Sequence, residues 1–310
     1  MGAMVFSQVL VLVFLIFLGF ISIKFGIIPK EASAFFSSFV LKITVPCLII
    51  YSFHRPFSQE LLGEAALILG GSALVYALSL LLGWVYPLLL RINGPERGVH
   101  RATIVISNAG FFGYPVVESL MGPAYMFHAV IFNVLSVVMA FSVAVWLVAK
   151  EGDKAPVISW RLFVNPPIVA TFIGFFIFLF SVSLPWPLDE GLRLAGGMTT
   201  PLSMVVIGIS IAQMNFKQTF GRWRIYVTVF MRLVFIPAMI GFVCYTIGLR
   251  GHILMILVLL SGMPAGSTIA ILGSVYNVAP EEASSLVGIS TVLSAVTIPL
   301  LVIVIQQFLV

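Results

Sequence analysis

The chain has 310 residues, 61% hydrophobic and 9% charged, with a formal net charge of +5. A soluble domain carries about a quarter charged residues, so this composition, with a mean hydropathy of +1.16, excludes a soluble fold and places the chain in a membrane. A pI near 9.4 would suit nucleic acid or anionic lipid, but the basic residues lie mostly in short loops; topology explains them and no nucleic-acid partner is expected.

Apolar runs near the roughly 20 residues that cross hydrocarbon recur along the chain. They predict about ten helices, at 5–23, 32–53, 61–90, 101–121, 124–149, 160–180, 188–213, 223–248, 252–276 and 284–308. The first has no positive n-region and no small-residue cleavage site, so it reads as a retained helix, not a signal peptide. The second carries Lys42 midway, and the third is long enough to tilt or project. The fourth is interrupted by "SNAGFFGYP", Ser107 to Pro115, and the ninth by "SGMPAGS", Ser261 to Ser267. Cys47 and Cys244 sit in apolar runs and read as small buried hydrophobes. The histidines (His54, His100, His128, His252) show no metal-ligand spacing, so neither metal nor cofactor is expected.

Lys24 and Lys30 fall in the first loop, and Arg91, Arg97 and Arg101 in the third. Lys150, Lys154 and Arg161 fall in the fifth, and Lys217, Arg222 and Arg224 in the seventh. Even-numbered loops hold only Arg55, Arg193 and Arg250. The positive-inside rule predicts odd loops in the cytoplasm and both termini outside the plasma (inner) membrane.

The sequence also repeats itself. "TVP" at Thr44–Pro46 returns as "TTP" at Thr199–Pro201, "GPAY" from Gly122 as "APEE" from Ala279, and "NVLSVV" from Asn133 as "TVLSAV" from Thr291. Offsets of roughly 155 residues divide the chain into halves 1–153 and 154–310, each of five helices. An odd number of spans inverts the second half, a ground plan of secondary transporters. The expected fold is therefore all-α, with ten transmembrane helices in two inverted five-helix repeats.

Unpaired backbone at membrane depth is tolerated only inside protein or along a wet cavity. Two breaks at equivalent depth suggest that they meet. A broken helix exposes amide N–H groups at the start of its second half, suited to an anion, and carbonyls at the end of its first, suited to a cation. Ser107, Asn108, Ser261, Ser267 and Thr268 add polar side chains beside the breaks. Charges within spans are costly and face a cavity or a partner. Lys42 and Arg232 read as support-site cations, and Glu118 as a group that faces the crossing or pairs with either. Glu64, near a helix end, reads as a snorkelling side chain or a structural ion pair.

"SNAGFFGYP" with "GPAYMFHAVIFN", and "SGMPAGSTIAILGSVYN" with "EEASSLVGISTVLSAVTIPLL", resemble helices 4–5 and 9–10 of the auxin efflux carrier family. That fold is similar to the bile acid–sodium symporters. The resemblance implies that broken helices 4 and 9 cross and hold the substrate there. It points to Asn108, Ala109, Gly110, Gly113 and Pro115 on one side and Gly262, Pro264, Ala265, Gly266 and Ser267 on the other. It implies a core of helices 3–5 and 8–10 moving against a scaffold of helices 1, 2, 6 and 7, and a homodimer through the scaffold. The short fifth loop resembles compact prokaryotic members. "SGMPAGS" offers no carboxylate for sodium, which leaves proton coupling, another mechanism or uniport open.

The paired breaks and their anion-suited helix starts lead to the expectation of a secondary transporter exporting small organic anions, and the resemblance implies mono- or dicarboxylates or auxin-like acids carried by elevator-type alternating access. A ligand sensor or an anion channel is the alternative. No HExxH, nucleotide-binding glycine loop or carboxylate cluster favours an enzyme.

Overall fold

A computed structural model describes residues 2–29, 31–152, 165–214 and 222–309. Lys30, Lys154, Trp160, Arg161, Lys217 and the expected boundary between halves lie outside them. Apart from turns and loops, the described residues form helices, with one isolated antiparallel bridge. Among the described residues, seven segments are long and apolar enough to cross a membrane: Ser7–Lys24, Ala32–Phe53, Gln59–Leu89, Pro123–Ala149, Trp186–Gln213, Trp223–Thr246 and Pro280–Ile305.

Ten such spans were expected. The fourth is divided into α5 (Pro95–Val105) and α6 (Gly113–Met121), and the ninth into α14 (Gly251–Ser261) and α15 (Thr268–Val275). The sixth is described only as α9 (Pro166–Leu179), 14 residues long. The interruptions themselves thus shorten two of the missing three.

Two continuous-looking spans hold a π turn. Val40–Thr44 joins α2 (Ala32–Phe39) to α3 (Val45–Phe53), and Met231–Phe235 joins α12 (Trp223–Phe230) to α13 (Ile236–Thr246). Each turn ends two residues before a proline, Pro46 or Pro237. Proline has no N–H and clashes with the carbonyl four residues back; widening the preceding turn relieves both. The closing amides accordingly reach back five residues, Val45 to Val40 and Ile236 to Met231. Lys42 and Arg232 lie inside these turns.

The helices fall into two compact units. The first gathers the described residues of Met1–Leu67, Gly110–Val134 and Trp160–Gln213. Here α1 (Gly2–Lys24) packs along α11 (Thr199–Gln213), and α3 against α9 and α10 (Trp186–Gly197). Thr44 and Thr199, both fully buried, are hydrogen-bonded through their hydroxyls at 3.0 Å. Without a hydrophobic force between helices in lipid, small residues let backbones approach. A Cβ on Gly208 would overlap the Ile16 carbonyl oxygen, and one on Gly19 the Val205 carbonyl oxygen. Gly208→Ala is therefore expected to destabilise the protein by about 1–3 kcal/mol, read as a lower melting temperature in detergent. Gly197→Ala, where nothing lies within 4 Å of the added methyl, should leave melting unchanged.

The second unit gathers the described residues of Ile68–Ala109, Leu135–Ser159 and Met214–Val310. It holds most of α4 (Gln59–Leu89), and α5 packs there on α8 (Val143–Ala149), α12 and α16 (Pro280–Leu309). α13 lies on α14, and α15 on α16.

Candidate functional site

Within the second unit the two interruptions touch. Asn108 N–H donates to the Pro264 carbonyl at 2.8 Å, and Gly266 N–H to the Ile106 carbonyl at 3.1 Å, around the Ser107–Ala265 bridge. A third amide, Ala265 N–H, donates to Ser290 Oγ on α16 at 3.0 Å. Pro264 takes part through its carbonyl alone, so its missing N–H leaves no gap. Gly266 permits the approach, since a Cβ there would come within 2.9 Å of Ile106 Cγ2.

Arg232 completes this arrangement. It is 1% exposed, and its Nη1 donates to Ile104 O, Nη2 to Ser261 O and Nε to Met263 O, at 2.9, 2.9 and 3.2 Å. Ile104 and Ser261 lie in the last turns of the first halves of the two broken helices, where carbonyls lose their intrahelical partners and carry the negative end of the dipole. The planar guanidinium supplies the required donors in one group. The expected cation suited to those carbonyls is thus a side chain of the protein. Fully buried Tyr76 adjoins Arg232, Ser107 and Ser136.

The polar residues expected at the breaks divide. Ser261 is buried and its hydroxyl turns back to Val258 O at 2.8 Å. Ser107, Ala109, Gly262, Pro264, Ala265 and Gly266 are buried in the crossing. Asn108 and Thr268 are half-buried and Ser267 is exposed. The Asn108 carboxamide makes no side-chain hydrogen bond among the described residues. The expectation that the breaks expose their amides needs correction here. Those of Asn108, Ala265 and Gly266 are used by the protein, whereas the Ser267 and Thr268 amides opening α15 have no partner among the described residues.

In the first unit, Gly113 and Pro115 are buried at the start of α6, and Gly110 is half-buried. Pro115 occupies the first helical turn, where no N–H is needed. Asn133, on α7 (Met126–Phe141), closes on both Tyr114 and Gly110. In the sequence it stands as part of a repeated string and as the last residue of a family-like motif, with nothing to mark it as a site residue. Glu118 accepts a hydrogen bond from Thr200 Oγ1 and pairs with neither Lys42 nor Arg232. Lys42 is exposed beside exposed Leu41 and Ile43. Glu64 Oε2 lies within hydrogen-bonding distance of His128 Nε2, 2.7 Å away. A cleft of about 660 Å³ in this unit is lined in part by Tyr51, His54, Arg55, Glu118 and Arg193.

With helices as the regular structure of the described residues and seven membrane-length apolar segments among them, the chain is a multi-pass membrane protein. It belongs to the membrane transport protein family, the auxin efflux carrier-like group, whose model matches residues 4–157 and again 153–302. An "Uncharacterized transporter" of Methanothermobacter thermautotrophicus is 26% identical over 95% of this chain and 96% of its own. Another of that description in Methanocaldococcus jannaschii is 24% identical over 94% and 96%. A protein of Rhizobium meliloti described as a "Putative malonate transporter" is 25% identical over 92% and 90%.

Proposed function

We propose that the protein is a secondary transporter of small organic anions, mono- or dicarboxylates, working by elevator-type alternating access across the plasma membrane. The observation that carries this is the joining of two interrupted helices. Their negative ends are neutralised by Arg232, leaving Asn108, Ser267 and Thr268 accessible beside the positive start of α15. Such a polar, net positive opening suits a carboxylate better than a cation.

The doubled family match and the Thr44–Thr199 bond, between positions 155 residues apart, support two inverted five-helix halves. Helices 3–5 and 8–10 form the moving core and helices 1, 2, 6 and 7 the scaffold, with both termini outside. Malonate is the first substrate to test because one relative carries it in its description.

Purified protein in proteoliposomes is expected to show saturable uptake of labelled malonate or a related carboxylate. Robust flux of a cation or neutral solute, with no carboxylate flux, would overturn the substrate class. Unsaturable, rapid conductance would make it a channel.

A further inference from the structure

The second unit buries a chain of polar groups where α4 ends and α5, α12 and α16 begin. His100 on α5 and Thr228 on α12 are fully buried. His100 Nδ1 lies 2.6 Å from Thr228 Oγ1, and its Nε2 lies 3.1 Å from Glu282 Oε1 on α16. Tyr86 of α4 reaches the same threonine oxygen at 2.7 Å. Thr228 itself donates to the Arg224 carbonyl at 2.8 Å.

A hydroxyl has one hydrogen to give and two positions to accept. The Arg224 carbonyl can only accept, so it takes the threonine's hydrogen, and Thr228 must receive from both Tyr86 and His100. Nδ1 therefore carries a hydrogen. On the other side of the ring, Nε2 faces a carboxyl oxygen at hydrogen-bonding distance. A bond there needs one more proton, placed on the imidazole or on the acid. Without it two lone pairs oppose each other where no water can intervene.

We propose that His100 and Glu282 form a proton-binding site, holding one exchangeable proton between them that the transport cycle takes up and releases. The transport clause rests on the carrier reading above; the proton site stands on the hydrogen-bond geometry. Glu282 Oε2 accepts from Arg222 Nη1 at 2.6 Å, and Glu281 lies 3.6 Å from the same guanidinium. Arg222 and Glu281 are exposed, so Glu282 links the surface to the buried ring. Other charges on the surrounding helices are engaged elsewhere. Glu96 lies 3.9 Å from Arg224, Arg101 stacks 4.1 Å over Trp84, and Lys150 lies over Trp146. Arg97 forks onto Glu151, whose hydrogen-bonded carboxylate raises the guanidinium above its ordinary pKa. Two of the helices that meet at the proton also frame the candidate anion site. α5 runs directly into Ser107 and Asn108, and α16 holds the Ala265 amide through Ser290.

The test uses full-length protein in proteoliposomes, with ¹⁵N-labelled histidine. Nuclear magnetic resonance is expected to show one imidazole, missing from His100→Gln, with Nδ1 protonated and Nε2 hydrogen-bonded, its Nε2 signal altered in Glu282→Gln. A ring with bare Nδ1, or an Nε2 free of any hydrogen bond, would overturn the site. In the same vesicles a pH difference of about one unit should drive up to about tenfold accumulation of malonate, one proton being worth a factor of ten per unit. His100→Gln and Glu282→Gln should keep malonate exchange at equal pH and lose that accumulation. Variants that still accumulate malonate would overturn the coupling. Wild-type protein that exchanges no malonate would overturn the malonate reading, and the imidazole signals would still decide the proton site.

Discussion

Replacing Arg232 with methionine is expected to cost about 3–5 kcal/mol, because three buried carbonyls would each lose their donor. Methionine matches much of the side chain's volume but offers no donor. Ile104, Ser261 and Met263 carbonyls would lose the hydrogen bonds that now satisfy them. Unpaired buried acceptors each cost about 1–3 kcal/mol, and the two half-helix ends would repel. Arg232→Lys should fall between, because an ammonium cannot reproduce the planar fork. Thermal melting in detergent measures both. A methionine variant melting like the wild type would show that water or another group satisfies the crossing.

Asn108→Ala should do the opposite, sparing the fold and removing transport. Its backbone amide, which holds Pro264, survives the substitution. The half-buried carboxamide makes no side-chain hydrogen bond among the described residues, so melting should change by no more than about 0.5 kcal/mol. If the carboxamide donates to a bound carboxylate, losing that charge-assisted bond removes about 1.5–3 kcal/mol, roughly a tenfold to hundredfold fall in malonate affinity or flux. Asn108→Asp should fare worse, by adding a like charge. Unchanged transport in the alanine variant would remove Asn108 from the site.

What the sequence could disclose depended on how local the physics was. The interruptions at Ser107–Pro115 and Ser261–Ser267 were legible because proline and paired glycines weaken a helix wherever they stand. Their contact was legible only indirectly, through repetition and the need to bury unpaired backbone. Arg232 was visible as an anomalous charge, yet its three carbonyl partners come from segments far apart in sequence, and no local pattern announces them. Asn133 looked like one letter in a repeated string because its significance lies in closing on Gly110 and Tyr114. The π turns carry a signal of their own, a proline two residues beyond each turn's end. Amides expected to stay open were consumed by Ser290 and by the opposing strand of backbone, partners that spacing cannot reveal.

Arg232 also fixes how charge is accounted for during a crossing of the membrane. An inorganic cation resting among carbonyls can dissociate, and its departure would alter the stoichiometry of each turnover. A guanidinium bonded covalently to the chain cannot. The counter-ion for those two truncated rods is a permanent fixture, present once per polypeptide and indifferent to the salt on either side.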